Sequence, residues 1–168
     1  MKRALAVLLV VLGGTTFVSA KGVTTKIRIT GARLETPIEI TNPDILKNFN
    51  VWAGPGTFVN GVEGTDGFII DWASGAVAEP PTRLNRYEVL FYVKYENRPA
   101  SEQEDHLAYA VLYQTDASSG QSYVYLPGRG DEAYPLNTRA ILRGREGSWF
   151  RPSATWRNVA DRLLAQAH

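Results

Sequence analysis

Arg86–Tyr95 (RYEVLFYVKY), His106–Gln114 (HLAYAVLYQ) and Gln121–Leu126 (QSYVYL) decide the fold of this chain. All three are rich in aromatic and β-branched residues, which fit a pleated, half-buried surface. In the first, Tyr87, Val89, Phe91, Val93 and Tyr95 fall on one face of a strand, with Leu90 and Tyr92 on the other. Leu107, Tyr109, Val111 and Tyr113 share a face of the second, and Tyr123 and Tyr125 share a face of the third. Asp116–Gly120 (DASSG) supplies turn residues between the last two. The expectation is an antiparallel meander.

On the N-terminal side, Thr25–Thr30 (TKIRIT) alternates polar and apolar residues as a strand does, and Thr36–Ile40 (TPIEI) reads as its hairpin partner. Pro37 confines that partner to an edge or to its own first residues. Asn42-Pro43 predicts a helix start, with a short helix to about Phe49 that turns Ile45, Leu46 and Phe49 inward. Glycines at 54, 56, 61, 64 and 67 predict an irregular region. Gly67–Trp72 (GFIIDW) reads as a strand, and residues 73–84, with Pro80-Pro81, as a loop.

From Trp156 the apolar residues fall at 156, 159, 160, 163, 164 and 167, one stripe at helical spacing. Pro152-Ser153 or Thr155 supplies its start. The fold class is α+β: an antiparallel sheet, made of the three-strand meander plus the N-terminal hairpin, packed by a C-terminal amphipathic helix.

Residues 1–20 read as a secretory signal peptide. Lys2 and Arg3 precede an apolar run over Ala4–Gly13, and Val18-Ser19-Ala20 offers a cleavage site. An uncleaved anchor is the alternative, since Ala4–Ala20 is at the short limit for a membrane span. Residues 21–168 would then be a single domain with no stable membrane insertion. Without Lys2 and Arg3, 16 basic residues face 17 acidic ones, a net charge of −1. Such a chain lacks the broad positive field that nonspecific nucleic-acid binding needs.

The chain contains no cysteine, which excludes a thiol nucleophile, a Cys-based metal site and a lipidated cysteine. Asn-x-Ser/Thr is also missing. These features lean towards a bacterial periplasmic or otherwise extracellular protein.

Two histidines, His106 and His168, are too few for a multi-histidine metal site, and no cofactor is expected. No G-x-S-x-G occurs, and the stretch around Ser101 reads as a solvated acidic loop. Gly128-x-Gly130-x-x-Ala133 matches a degenerate dinucleotide fingerprint, but Pro135 is expected to interrupt the helix that motif must open. Arg129-Gly130-Asp131 reads as a tight polar loop. Hydrolysis without a metal would need paired carboxylates, with Asp71, Glu88, Asp131 and Glu132 as candidates.

Two features point to binding. All eight tyrosines lie between residues 87 and 134, and a tyrosine-lined sheet face can stack on sugar rings or on a partner's side chains. Six arginines lie between residues 139 and 162. Among them Arg143, Arg145 and Arg151 flank Trp149 on a glycine-punctuated loop, a pattern suited to an anionic ligand. The alternative is that these arginines neutralise the acidic segment 96–132.

The candidate ligand-binding residues are therefore Arg143, Arg145, Trp149 and Arg151, with Tyr125 and Arg129 as neighbours. The expected function is a non-catalytic binding or envelope-associated module for an anionic, carbohydrate or peptide ligand. Its partner would be a polysaccharide, a peptide or an envelope protein. The alternative is a metal-independent, glycosidase-like hydrolase. A purely structural assembly subunit is a third class.

Overall fold

The computed structural model describes residues 22–32, 34–59, 61–64, 67–80, 84–95, 99, 104–116 and 118–167. The predicted signal segment lies outside them, as does most of the acidic loop around Ser101.

Strands β1 (Val23–Gly31), β2 (Ile38–Ile40), β5 (Ala76–Val77), β6 (Asn85–Lys94), β7 (His106–Thr115), β8 (Ser122–Tyr125) and β9 (Trp149–Phe150) join in the order β2-β1-β6-β7-β8-β9-β5. Every neighbouring pair is antiparallel. β3 (Phe58–Val59) and β4 (Val62–Glu63) form a separate ribbon, and the helices are α1 (Pro43–Leu46), α2 (Tyr134–Ala140) and α3 (Ala154–Gln166). The fold is α+β, with the meander, the N-terminal hairpin and the terminal helix that the sequence predicts. No helix among the described residues is long and apolar enough to cross a membrane.

Register shows why the sheet has one closed face. Tyr87 lies opposite Tyr113, Val89 opposite Val111, and Phe91 opposite Tyr109, and all six side chains are buried. α3 lies against the Tyr113 end of this face, and Phe68 packs on Phe91 and Tyr109. Ser153 caps it by accepting the Trp156 N–H at 3.2 Å. Trp156, Ala160 and Leu164, spaced by four, are its buried residues. The Trp156 ring meets Phe49 edge-on at 5.2 Å and Tyr113 at 5.9 Å. Each such fully buried side chain contributes about 1.5–3 kcal/mol.

Several local expectations change. α1 ends at Leu46 rather than near Phe49, because the Asn48 side chain donates to the Asp44 and Ile45 carbonyls that a longer helix would use. Leu46 and Phe49 are nonetheless buried. Gly67–Trp72 is not a strand. Gly67 and Phe68 both take positive φ, 92° and 71°, which breaks extended backbone. Phe68, Ile69 and Ile70 are then buried in succession rather than alternately, and only Ile70 forms a bridge, to Pro152.

Leu107 does not share a face with Tyr109. The register slips between Phe91↔Tyr109 and Tyr92↔Leu107, so Ala108 is an inserted bulge residue and Leu107 emerges exposed. The expected glycine-rich irregular region holds the β3–β4 ribbon, and the expected loops hold β5 and β9. Pro135 does not interrupt a helix. It occupies the first turn of α2, where its missing N–H costs nothing.

Candidate functional site

The second face of the same strands is open. Alternation places Arg86, Glu88 and Leu90 of β6 beside Ala110, Leu112 and Gln114 of β7 there. Leu112 lies opposite Tyr125, and Tyr125 opposite Trp149. A trough of about 800 Å³ runs over this face. Its floor includes Arg86, Leu112, Gln114, Tyr125 and Trp149, and Glu79 and Asp131 stand at its sides. A smaller, more apolar cleft of about 380 Å³ shares Arg86, Leu112, Tyr125 and Asp131 with it and adds Glu88, Leu90, Glu132 and Leu136. The two are parts of one groove.

Its centre is an aromatic pair. The Tyr125 and Trp149 rings lie 4.8 Å apart, tilted by 35°, and both are half-buried. The Tyr125 hydroxyl donates to Asp131 Oδ2 at 2.9 Å, and the Gly128 N–H donates to the same oxygen at 2.7 Å. Burial, followed by the Asp131 carboxylate, raises the Tyr125 pKa, so the phenol stays a donor. The loops that carry Asp131 and Trp149 touch at Gly128 and Gly147. A Cβ on Gly128 would come within 2.7 Å of the Gly147 Cα, so this close approach requires glycine.

The predicted site residues separate. Tyr125 and Trp149 come together in the groove. Arg151 lies one step along the same strand pair, its guanidinium 4.4 Å above the Tyr123 ring. Arg129 is exposed on the turn before Asp131, and Arg145 is exposed with its backbone N–H on Glu146 Oε2 at 3.0 Å.

Arg143 is in the core. Its guanidinium donates to the carbonyls of Val51, Ala53 and Pro55 and to the Tyr109 hydroxyl. It lies over the rings of Phe68, Trp72 and Tyr109 at 5.0–5.5 Å. Burial lowers its pKa, with Tyr109 pushing the other way. This arginine pins the 51–57 loop to the sheet.

Of the candidate carboxylates, Glu88, Asp131 and Glu132 line the groove. Asp71 lies elsewhere, and hydrogen bonds led by the Ser74 hydroxyl lower its pKa. No group of three metal-ligating side chains occurs among the described residues. Among the described residues no arginine of 139–162 forms an ion pair with a carboxylate of the 96–132 segment, of which Glu96 and Glu102 lie outside the described residues. The ion pairs among the described residues are Arg28–Glu39, Lys47–Asp44 and Lys94–Asp105.

Sequence reasoning passed over Arg86, Leu112 and Gln114 as site residues. Their signal was available as the even-numbered, partly polar face of strands read mainly for their apolar one. No protein-family model, no curated protein and no solved structure matches this chain.

Proposed function

We propose that this protein is an exported, non-catalytic binding module whose groove takes a carbohydrate. The observation that carries the reading is the half-buried Tyr125–Trp149 pair on the floor of an open trough. Aromatic faces stack on the apolar faces of sugar rings, while nearby amide, carboxylate and guanidinium groups hydrogen-bond to hydroxyls. Gln114, Asp131, Glu79 and Arg86 are so placed around the pair. Export is supported by the charged start, the apolar run and the small residues of positions 1–20.

The test is retention of the protein on immobilised polysaccharides, compared with Trp149→Ala. Loss of retention with a nearly unchanged melting temperature is the expected result. Undiminished retention by the variant would remove the groove from the reading. A second reading, glycoside hydrolysis, is favoured by Glu88, Asp131 and Glu132 lining one groove. Release of reducing sugar that Glu88→Gln or Glu132→Gln abolishes would establish it instead.

A further inference from the structure

We infer that a separate cavity next to the Tyr123–Arg151 pair is an anion subsite formed by Arg151 and Arg157, so that the ligand of the groove is an acidic polysaccharide. This inference rests on the carbohydrate reading above and names the ligand class. Along β8 and just past the end of β9 two stacked pairs follow one another, the half-buried Tyr125 with Trp149 and the buried Tyr123 with Arg151. Two residues along a strand advance about 7 Å, so the guanidinium stands roughly one sugar ring from the aromatic platform.

Beside it opens a cavity of about 370 Å³ lined by Arg151 and Arg157, with Gln121, Ser122, Asp71 and Ala154. Neither arginine forms an ion pair among the described residues. The stacking of Arg151 on Tyr123 fixes its direction while leaving its N–H groups to donate. Asp71 is the one carboxylate in the cavity, and its oxygens already accept from the Ser74 hydroxyl and N–H. Two cations therefore face one committed anion. A carboxylate or sulfate on a ring bound next to Trp149 meets paired, charge-assisted donors there. The first turn of α3, which contributes Ala154 and Arg157, adds the positive end of its dipole.

The experiment measures affinity of the purified protein for polygalacturonate and for a neutral glucan, with the variants Arg151→Gln/Arg157→Gln and Trp149→Ala. The uronate polymer is expected to bind about tenfold more tightly than the neutral one. That preference should shrink as salt is added. The double arginine variant should erase it while leaving neutral-glucan binding and the melting temperature in place. Equal binding of the two polymers, or a preference that survives the double variant, would overturn the anion subsite and leave the carbohydrate reading standing. Binding of neither polymer would overturn both.

Discussion

The two faces of the β6–β7 pair are built from alternate residues of the same strands, yet one is sealed and the other is not. Tyr87, Val89 and Phe91 with Tyr109, Val111 and Tyr113 are buried, Tyr113 against Trp156 and Phe91 and Tyr109 against Phe68. Arg86, Glu88 and Leu90 with Leu112 and Gln114 line the groove, with α2 closing its end over Ala110. Two tryptophans mark the contrast: Trp156 is 0% exposed, whereas Trp149 is half-buried beside Tyr125. The same residue type stabilises where its whole surface is removed from water, and is left available to a ligand where one ring face stays open.

The strongest way to break that contrast is to truncate both rings. Trp156→Ala is expected to cost about 3–5 kcal/mol, because it removes the ring between Phe49 and Tyr113 and leaves a cavity. Trp149→Ala should cost about 1 kcal/mol or less. Denaturant unfolding of both variants measures the difference, and equal losses would mean that the two faces are equally structural. Trp156→Phe sharpens the point. The indole N–H of Trp156 is buried without a hydrogen-bond partner among the described residues. Replacing it with Phe therefore removes a desolvated donor along with some volume, and should cost clearly less than Ala.

A second comparison, between Arg143 and Arg151, shows what the sequence could and could not display. Both lie in one glycine-punctuated stretch and look alike as candidate anion binders. Only the fold separates them, because the partners of Arg143 are the carbonyls of Val51, Ala53 and Pro55, roughly ninety residues away in sequence. Periodicity carried the long elements, β6, β7 and α3, because burial of one face repeats every second or every fourth residue. It could not carry β5 or β9, which are two residues long. Nor could it place the Ala108 bulge, which shifts Leu107 to the wrong side of a correctly read strand.

α2 is hidden in the sequence because Pro135 reads as a breaker rather than a first-turn residue, and Asn137 is hidden with it. That side chain stands in for a missing strand. β8 pairs only with Leu112–Thr115, and one turn of α2 brings the Asn137 amide to the Ala110 backbone beyond that point. It accepts the Ala110 N–H at 2.8 Å and donates to the Ala110 carbonyl at 2.7 Å. Asn137→Leu leaves both backbone groups buried and unpaired, a loss of about 2–4 kcal/mol. Hydrogen exchange at the Ala110 amide should accelerate by more than the global loss predicts. An unchanged amide would show that the strand edge needs no such support.

The smallest effect lies at the far end of the meander, where the β7–β8 turn is fully in water. Hydrogen bonds from the Ser118 and Ser119 hydroxyls and the Ser118 N–H pull the Asp116 pKa from 3.8 to about 2. A carboxylate whose pKa is depressed by folding adds stability above its ordinary pKa, and loses that contribution as the pH falls through the folded value. Asp116→Asn should therefore lower the melting temperature slightly at neutral pH. The gap from the parent should narrow between about pH 4 and pH 2 and close below it. A gap that is independent of pH would mean that the turn is held by its backbone bonds, Asp116 N–H to Gln121 and Gly120 N–H to Asp116, and that the charge contributes nothing.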